Sequence, residues 1–274
     1  MQLLGPPPPR VTFVLGKPIR DGTVIAEVVD RLRRASANIA VHLPKGDHPF
    51  PPWLLESDLI VQRGLGMDEL RAARPMEDAG IRCCNRIAAT MTLIDRARTF
   101  QTLTEADVPT PKTRWVGTWR EVVALAGEQP LVVKLADGAA GRGVGVWIAP
   151  SSELPAQPPF AGPYIVQDFV RGDGRDHKVY VAGRHASGLL KRSAPRQPAE
   201  PFCTPFAVDA TLADLSRRVG AALDLDIYGV DFVYGARGPE VVDVNPFPGF
   251  RGVADAGRQI ADLLTTLVAG QETT

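Results

Sequence analysis

The chain has 274 residues, of which 45% are hydrophobic and 23% are charged, a composition typical of a globular protein with a sizeable core. Its 31 basic and 31 acidic residues cancel, so composition gives no support for a nucleic-acid or membrane partner. Cys83, Cys84 and Cys203 lack CxxC spacing. They predict buried thiols in a reducing compartment rather than a disulfide framework or a zinc site.

The N-terminal stretch MQLLGPPPPR has no basic region of the kind that opens a signal peptide. Its prolines predict a disordered tail over residues 1–10. No run of 18 apolar residues occurs, so no membrane span is expected. These features together predict a cytoplasmic protein.

Residues 11–84 alternate between buried strands and amphipathic helices. VTFVLG (11–16) and SDLIVQRG (57–64) predict strands, and GTVIAEVVDRLRRAS predicts a helix with Val24, Val28 and Leu32 on one face. MDELRAARPMEDAG predicts a helix interrupted at Pro75. This alternation favours an N-terminal α/β domain with a parallel sheet.

Residues 85–163 predict a smaller central subdomain. One long helix is expected over 85–109, followed by strand, helix and strand, then a glycine-rich loop and a strand over 143–150. The Pro-rich segment 151–163 predicts a linker.

Residues 164–274 predict an antiparallel sheet with helices. YIVQDFV, HKVYVAG and ASGLLKRS are expected to form three successive strands of one meander. A helix over 212–225, a strand hairpin and a closing helix follow.

The last two strands, IYGVDFVYG and EVVDVNPF, are joined by GARGPE. A turn centred on Arg237 would pair Val233 with Val241 and Asp231 with Asp243, and period-two geometry would put Asn245 on the same face. Two directly opposed carboxylates repel each other, and a divalent cation would remove that cost. Oxygen donors suit Mg²⁺ or Mn²⁺. The alternative is that one aspartate faces solvent as an ordinary surface residue.

The stretch LVVKLADGAAGRGVGVWIA carries Gly138, Gly141, Gly143 and Gly145 after Lys134. It is neither a Walker A loop nor a dinucleotide fingerprint, because a strand rather than a helix follows. Between two antiparallel strands it predicts a flap whose backbone N–H groups cover phosphates, with Lys134 needing an anionic partner. The alternative is a surface hairpin with a lysine that reaches solvent.

The strand YIVQDFV suits a hinge whose backbone reads adenine while Phe169 and Val170 pack against the ring. A plain core strand is the alternative. Further along, charged residues that could face the same site are Asp176, Lys178, Lys191 and Arg192. No nucleophile motif occurs; of the four histidines, only His177, between Asp176 and Lys178, stands beside the candidate residues.

In consistent order from about residue 55 to 268, these motifs resemble those of the ATP-grasp superfamily, most closely its RimK-type ligases. DRARTFQTLTEADVPTPKT is similar to the family's DKxxxxxxL helix and GIPxPxT stretch, and VVKLADGAAGRGVGV to its second lysine and flap. IVQDFVRGDGRDHKVYVAG resembles the adenine hinge and the next strand. LLKRS matches the strand with a phosphate-facing arginine, and GVDFVYGARGPEVVDVNPFPGF matches the metal set.

This resemblance implies an α/β (α+β) ATP-grasp fold with three parts: an N-terminal parallel α/β domain (11–84), a central lid subdomain (85–163) and a C-terminal antiparallel sheet with helices (164–274). It implies an ATP-dependent carboxylate–amine ligase that works through an acyl phosphate on small-molecule or peptide substrates. The implied cofactors are ATP and one or two Mg²⁺ or Mn²⁺ ions. Relatives often form dimers or tetramers, so a homo-oligomer is a further expectation.

The resemblance also implies a role for each matching residue. Arg96 and Lys134 would hold phosphates, and Gly141, Gly143 and Gly145 would form the flap. The adenine would lie against Gln167, Asp168, Phe169 and Val170, with Asp176 nearby. Arg192 would neutralise the γ-phosphate, with Lys178 as a second catalytic cation. The expected metal ligands are Asp231, Asp243 and Asn245.

Three departures from the ligases stand out. Arg96 replaces the usual lysine, and Asp243 replaces the commoner glutamate. The FRSN-like segment after the basic strand is missing, since the chain reads APRQPAEPFCTPF.

A second branch of the same superfamily, the inositol-phosphate kinases, resembles QDFV, KVYVAG, KRS and DVNPFPGF. In that alternative Lys178, Asn245 and Gly249 would touch the substrate. A nucleotide-binding protein without catalysis is the third alternative. The acceptor is expected to enter from the side of the N-terminal domain.

Overall fold

The computed structural model describes residues 7–44, 50–127, 129–137, 145–150, 153–172, 174–192 and 204–270, with only the backbone described for Ala149 and Arg192. Within these ranges the chain forms three sheets. None of the helices there is both long and apolar enough to cross a membrane.

The first sheet is parallel, with strand order β2–β1–β3–β4. Its strands are β1 (Arg10–Leu15), β2 (Asn38–His42), β3 (Leu59–Arg63) and β4 (Arg82–Cys84). Helices α1 (Val24–Arg34) and α2 (Met67–Asp78) connect them, and a short 3-10 helix (Pro52–Glu56) precedes β3. The predicted parallel N-terminal sheet is confirmed. The short strands β2 and β4 were not predicted.

Helix α2 runs through Pro75 without interruption, so the predicted break is wrong. A proline removes one backbone hydrogen bond and crowds the preceding turn. Here the helix buries Leu70, Ala73 and Met76 against the sheet, and this packing holds the helix together across the proline.

The predicted long helix over 85–109 is two helices, α3 (Ile87–Ile94) and α4 (Arg96–Glu105). Asp95 lies between them in an extended conformation, and its carboxylate accepts a hydrogen bond from the Arg98 backbone N–H at 3.0 Å. This is an N-cap, and it starts a new helix at Arg96. The break brings the Arg96 backbone N–H to 2.9 Å from the Ala136 carbonyl oxygen.

The second sheet, here called the lid sheet, is antiparallel with order β5–β8–β6–β7. It contains β5 (Thr113–Val116), β6 (Leu131–Leu135), β7 (Val146–Ala149) and β8 (Tyr164–Asp168), with α5 (Trp119–Ala124) packed on it. The prediction that β6 and β7 are antiparallel is confirmed. The predicted meander is wrong for YIVQDFV, because β8 pairs with β5 and β6 in the lid sheet.

The third sheet is antiparallel with order β11–β10–β9–β12–β13. Its strands are β9 (Arg175–Ala182), β10 (His185–Arg192), β11 (Thr204–Phe206), β12 (Ile227–Gly235) and β13 (Gly238–Pro246). Helix α6 (Ala210–Leu223) packs on one side, and α7 (Ala256–Val268) pairs with α1.

The first and third sheets share one hydrophobic core, whereas the lid sheet has its own. Phe13 and Val28 of the N-terminal layer lie in one buried cluster with Tyr180, Phe250 and Ile260. The lid core instead unites Trp119, Val133 and Tyr164 with neighbouring apolar residues. The N- and C-terminal layers are therefore packed as a unit, and the lid sheet lies across from β13. The domain bounds stay predictions.

Candidate active site

The β12–β13 hairpin places Asp231 directly opposite Asp243, as predicted. The predicted pairing of Val233 with Val241 is wrong, because between Asp231 and the turn Phe232 pairs with Val241 and Val233 with Glu240. The turn is centred one half-residue earlier than assumed, with Gly235 opposite Gly238. A β-bulge between Asp231 and Phe232 restores the pairing of the carboxylates, because one extra residue on β13, Val242, has no partner in the ladder.

Asn245 lies on the same face as Asp243, and its Nδ2 donates to Asp243 Oδ2 at 3.1 Å. This hydrogen bond confirms the predicted alternation of the two side chains. Asn245 pairs with Gly229 across the ladder, so its neighbour on β12 offers no side chain of its own. The candidate set therefore consists of two carboxylates and one carboxamide on one face of the β12–β13 hairpin.

Lys178 reaches the same face from β9, where it pairs with Asp231 in the ladder. Its Nζ lies 2.6 Å from Asp231 Oδ1, and the lysine side chain is only 6% exposed. At this distance the two groups form a close ion pair. Burial, the largest influence, lowers the pKa of Lys178, but the charge and hydrogen bond of Asp231 together with the charges of Tyr180 and Asp243 outweigh it, and the pKa lies above its usual value.

Asp231 experiences opposing influences. Burial raises its pKa, Lys178 lowers it and the charge of Asp243 raises it again, with the balance above the usual carboxyl value. Burial is the largest cause of the raised pKa, and the charge of Asp243, held opposite in the ladder, adds to it.

Lys134 projects from the lid strand β6 toward β13, where its Nζ donates to the Val242 carbonyl oxygen at 2.7 Å. The residue is 8% exposed, and Nζ lies 5.6 Å from the centre of the Phe100 ring. Burial lowers the pKa of Lys134, while the charge of Asp243 opposes that shift. The alternative of a solvent-reaching lysine is therefore wrong. The partner it has here is a neutral carbonyl rather than an anion.

Arg96, at the start of α4, donates from Nη1 to the Leu135 carbonyl oxygen at 2.9 Å, one residue after Lys134. Its charge lowers the pKa of Lys134, whereas Asp231 and Asp176 raise it. The electrostatic environment of Lys134 thus includes four of the residues predicted for the site. The structure brings together cations from the lid side and carboxylates from the third sheet.

The predicted adenine hinge lies at the end of β8 in the lid sheet. Gln167 is 1% exposed, and its Nε2 donates to Thr113 Oγ1 at 2.9 Å, so its side chain braces the sheet. The Asp168 carboxylate pairs with Arg114 at 2.9 Å. The backbone N–H groups of Asp168 and Phe169 donate to Lys112 and Pro130 carbonyl oxygens, while the Phe169 side chain is 40% exposed.

The structure describes the other predicted residues to different extents. Gly141 and Gly143 lie outside the described residues, and so does the side chain of Arg192, whose backbone ends β10 opposite Arg175. Gly145, which is described, has φ +67° beside Leu135. Asp176 pairs with Lys191 across the β9–β10 ladder.

Val170 and Gly249 lie at the edges of this site. A Cβ added to Gly235 would meet Val170 Cγ1 at 2.8 Å, so Val170 packs against the β12–β13 turn. Gly249 lies in the turn that leaves β13, where an added Cβ would be 3.6 Å from Arg63 Nη2.

The donor atoms on β12 and β13 suit a hard divalent cation. Within the described ranges no cluster of three His, Cys, Asp or Glu side chains is placed to hold a metal, so the candidate set depends on the Asn245 carboxamide. Two opposed carboxylates and an amide oxygen match the preference of Mg²⁺, which keeps other ligand positions for water and phosphate. The residues present therefore fit the predicted ion.

A cavity of about 260 Å³ adjoins this set, and its lining includes residues that sequence reasoning missed. Gln62, Arg63 and Thr90 contribute to it beside Asp243 and Asn245. One signal could have found them: in parallel sheets, ligands gather at the carboxyl ends of strands, and Gln62 and Arg63 end β3.

Asn85 is a further residue that the sequence analysis did not single out. It is fully buried after β4, and its Oδ1 accepts hydrogen bonds from the Asp226 and Ile227 N–H groups at 2.9 and 2.7 Å. Its Nδ2 donates to the Ile227 carbonyl oxygen at 2.7 Å. One side chain thus joins the N-terminal sheet to the beginning of β12, the strand that carries Asp231.

Comparison with solved structures defines the fold. The crystal structure of a RimK domain ATP-grasp protein from Sphaerobacter thermophilus superimposes with a TM-score of 0.72 at 22% identity, covering 93% of this chain and 99% of that one. The ATP-grasp ligase PsnB, solved with a minimal precursor, Mg and ADP, gives a TM-score of 0.66 at 18% identity, covering 93% and 96%. The chain has an ATP-grasp fold.

No protein-family model matches the chain. A probable alpha-L-glutamate ligase of Stenotrophomonas maltophilia (strain K279a) is 30% identical over 196 residues, covering 67% of each chain. A probable alpha-L-glutamate ligase of Methanococcoides burtonii is 29% identical over 258 residues, covering 87% of this chain and 84% of the relative. The chain belongs to the RimK-type ATP-grasp ligases, ATP-dependent enzymes that join a carboxylate to an amine. The resemblance expected from the motifs is confirmed.

Proposed function

We propose that this ligase uses Mg²⁺ and ATP to attach L-glutamate, through its amine, to the carboxylate of a small molecule or peptide. The names of the sequence relatives support L-glutamate as the amine substrate. The observation that carries the proposal is the opposition of Asp231, Asp243 and Asn245 to the cations Lys134 and Arg96.

In this proposal Lys134 and Arg96 bind the phosphates of ATP. Lys134 is buried beside a neutral carbonyl, and an arriving phosphate would supply the anion that offsets its burial. The flap glycines Gly141, Gly143 and Gly145 would cover the phosphates, and Arg192 would neutralise the γ-phosphate. The adenine would rest on Phe169 and Val170 and hydrogen-bond to backbone groups of the hinge that are outside the sheet pairing.

Asp231, Asp243 and Asn245 would hold one or two Mg²⁺ or Mn²⁺ ions. A bound ion would offset the charge of the triphosphate and help to align it. Lys178, already paired with Asp231, would keep that carboxylate ionised and positioned.

The reaction balances in two steps. A carboxylate oxygen of the acceptor attacks the γ-phosphorus, the bond to the bridging oxygen breaks, and ADP leaves with the electron pair. The amine nitrogen then attacks the acyl carbon of the acyl phosphate, the carbon–oxygen bond to phosphate breaks, and the amine loses a proton. Positioned cations suffice for such in-line transfer.

Hydroxylamine trapping tests this function. Protein, Mg²⁺, γ-labelled ATP, L-glutamate and an extract of small carboxylic acids are incubated with hydroxylamine, which converts an acyl phosphate to a stable hydroxamate. We expect a hydroxamate, and labelled free phosphate in an amount equal to the hydroxamate and the glutamyl amide together. Asp243→Asn should abolish both while retaining the fold, and Arg71→Gln, on the exposed face of α2, should retain both.

Two outcomes would contradict the proposal. Label retained in an organic product would indicate a kinase. Phosphate release that is equal with and without carboxylic acids would indicate an ATPase.

Two accompanying expectations also stay proposals. A cytoplasmic location agrees with the free, buried thiols of Cys83 and Cys84. A homo-oligomer is expected from the family, and sedimentation velocity would test it.

A further inference from the structure

The cavity beside the metal-binding set is bounded by both the N-terminal and C-terminal layers. Its described lining runs from the end of β3 through α3 to the last residues of β13. Asp243, Asn245 and Arg96 line one part, so the cavity opens onto the place where phosphate transfer is proposed. Its volume of about 260 Å³ is just below the range typical of drug-sized ligand sites. A small amino acid suits this space better than a peptide.

Arg63 is the cation that the N-terminal layer contributes to this cavity. Its Nε donates to the Phe247 carbonyl oxygen at 3.0 Å, and its guanidinium carbon lies 5.7 Å from the centre of the Phe247 ring. Phe247 follows the metal-binding strand by one residue. Arg63 is thereby fixed in position relative to Asn245 before any substrate binds.

The backbone that carries Arg63 is fixed as well. The Gly16 N–H donates to the Arg63 carbonyl oxygen at 3.0 Å. A Cβ at Gly16 would be 1.9 Å from the Gly64 carbonyl oxygen, so only glycine allows the loops after β1 and β3 to approach this closely. A guanidinium held by backbone, carbonyl and ring loses little entropy when it binds a ligand.

The chemistry of an anchored guanidinium selects a carboxylate. Its planar fork matches the two oxygens of a carboxylate with parallel hydrogen bonds. The rest of the lining is small and mostly uncharged, with Leu65, Leu93 and Ile94 beside the hydrogen-bonded pair Gln62 and Thr90. A ligand with one anionic end and a short body is complementary to this cavity.

A ligand carboxylate bound by Arg63 would lie apart from the end of the ligand that reacts. Asn245 and Phe247 are two residues apart, so their Cα atoms are separated by at most about 7 Å. A carboxylate on Arg63 would therefore lie a few bonds from the reaction centre rather than in it. This is the separation between the carboxylate and the reacting group of a small amino acid.

We propose that the cavity binds the amino-acid substrate, and that Arg63 holds the carboxylate of that amino acid which the reaction does not consume. The inference rests on the proposed ligase function and names a determinant of substrate specificity within it. Arg63 would set selectivity for amino acids over simple amines, because an amine without a carboxylate leaves the guanidinium without its ligand.

A purely structural role makes a different prediction. Arg63 also braces β3 against the turn after β13, and removing a brace would lower the melting temperature and weaken the binding of all ligands together. A carboxylate-binding role instead weakens binding only of ligands that carry the carboxylate. Comparing an amino acid with its own α-amide separates the two roles.

The test is a binding cycle measured by calorimetry on the full chain with Mg²⁺ and a non-hydrolysable ATP analogue. The ligands are L-glutamate and its α-carboxamide, isoglutamine. Wild type should bind L-glutamate about 10- to 100-fold more tightly than isoglutamine, the range expected for hydrogen bonds to a charged group. In Arg63→Gln this preference should fall to less than 3-fold, and Arg63→Lys should retain part of it.

Arg71→Gln is the matched control, since Arg71 lies on exposed α2 and pairs only with Asp68 among the ion pairs described for it. It should keep the full preference, and all variants should bind the ATP analogue as wild type does. If wild type shows no preference for L-glutamate, the cycle is repeated with the other protein amino acids and their α-amides.

Three results would overturn the inference. Wild type could bind no amino acid more tightly than its amide, Arg63→Gln could keep the preference, or Arg63→Gln could lose affinity equally for both ligands. None of these results would remove the ligase function, which stands on carboxylate-dependent hydroxamate and phosphate release.

Discussion

Replacing Lys178 with methionine should reveal the repulsion between the opposed carboxylates. Lys178 Nζ lies 2.6 Å from Asp231 Oδ1, in a pair whose side chains are 6% and 22% exposed. Removing one partner of a buried ion pair typically costs about 3–5 kcal/mol, because the other charge is left without compensation. Asp231 would then lie opposite Asp243 without its ion-pair partner. We expect a loss in that range and a melting temperature lower by roughly 10 °C.

Mg²⁺ should restore much of this loss. A ligand at 100 times its dissociation constant stabilises the folded state by about 2.7 kcal/mol, provided that it does not bind the unfolded chain. In Lys178→Met a divalent cation would take over the compensation of both carboxylates. Thermal unfolding in EDTA and in increasing MgCl₂ measures this effect, and the Mg²⁺-induced rise should be larger in the variant than in wild type, where Lys178 already neutralises Asp231.

The double variant Lys178→Met/Asp231→Asn supplies the control. It removes both charges and should be more stable in EDTA than Lys178→Met alone, with a coupling of about 2 kcal/mol or more between the two sites. If Lys178→Met unfolds within about 1 kcal/mol of wild type in EDTA, the ion pair does not carry the proposed cost. A double variant no more stable than Lys178→Met would refute the same reasoning.

Three further predictions concern other parts of the molecule. Asn85→Ala should lower unfolding stability by about 3 kcal/mol or more in urea titrations, because two N–H groups and a carbonyl at the start of β12 lose their partner; a loss below 1 kcal/mol would contradict this. Gly145→Ala should lower the free energy of unfolding by about 1–3 kcal/mol, since Gly145 has φ +67° and the new methyl group would lie 2.4 Å from the Leu135 side chain. An unchanged melting temperature would contradict this prediction. In a Cys203→Ser background, iodoacetamide at pH 8 should label Cys83 and Cys84 at least 1,000-fold more slowly than free cysteine, as followed by mass spectrometry. Burial raises the pKa of Cys83 to about 12 and that of Cys84 above its usual range, so the reactive thiolate is scarce; native labelling within minutes would refute this.

The pairing of Asp231 with Asp243 was predicted correctly from sequence. The prediction assumed a regular hairpin with its turn centred on Arg237, whereas the structure has an earlier turn and a bulge. An unbroken ladder from the observed turn would have moved the pairing by one residue, and the bulge at Val242 corrects it. The bulge does leave a signal in the sequence. Val241 and Val244 both enter the core beneath the sheet, and a spacing of three cannot place two residues on one face of a regular strand.

The break between α3 and α4 was also legible, because aspartate is a favoured N-cap residue. It was missed since the apolar periodicity continues on both sides of Asp95. Helical period alone does not distinguish one helix from two that meet at a cap. The break shapes the candidate site, because it brings the backbone of Arg96 to Ala136, two residues after Lys134.

The contacts of Arg63 and Asn85 could not be predicted from local patterns. The Arg63 side chain contacts Phe247, 184 positions away, and Asn85 contacts Ile227, 142 positions away. Such contacts depend on how two layers are placed against each other, which the alternation within one strand does not encode. The N-terminal layer was therefore the part of the site that the sequence described least.

The bulge at Val242 joins the two halves of the proposed reaction centre. Because Val242 has no partner in the ladder, its carbonyl oxygen is available to the lid, and Lys134 Nζ donates to it at 2.7 Å. The same extra residue sets Asp243 opposite Asp231. One backbone irregularity thus fixes the spacing of the carboxylates that are proposed to bind metal and gives the buried Lys134 a neutral partner. A carboxylate in place of that carbonyl would hold Lys134 more tightly and compete with ATP, whereas an apolar contact would leave the ammonium without any compensation. The neutral carbonyl satisfies the lysine in the free protein, and in the proposed function the triphosphate would replace it.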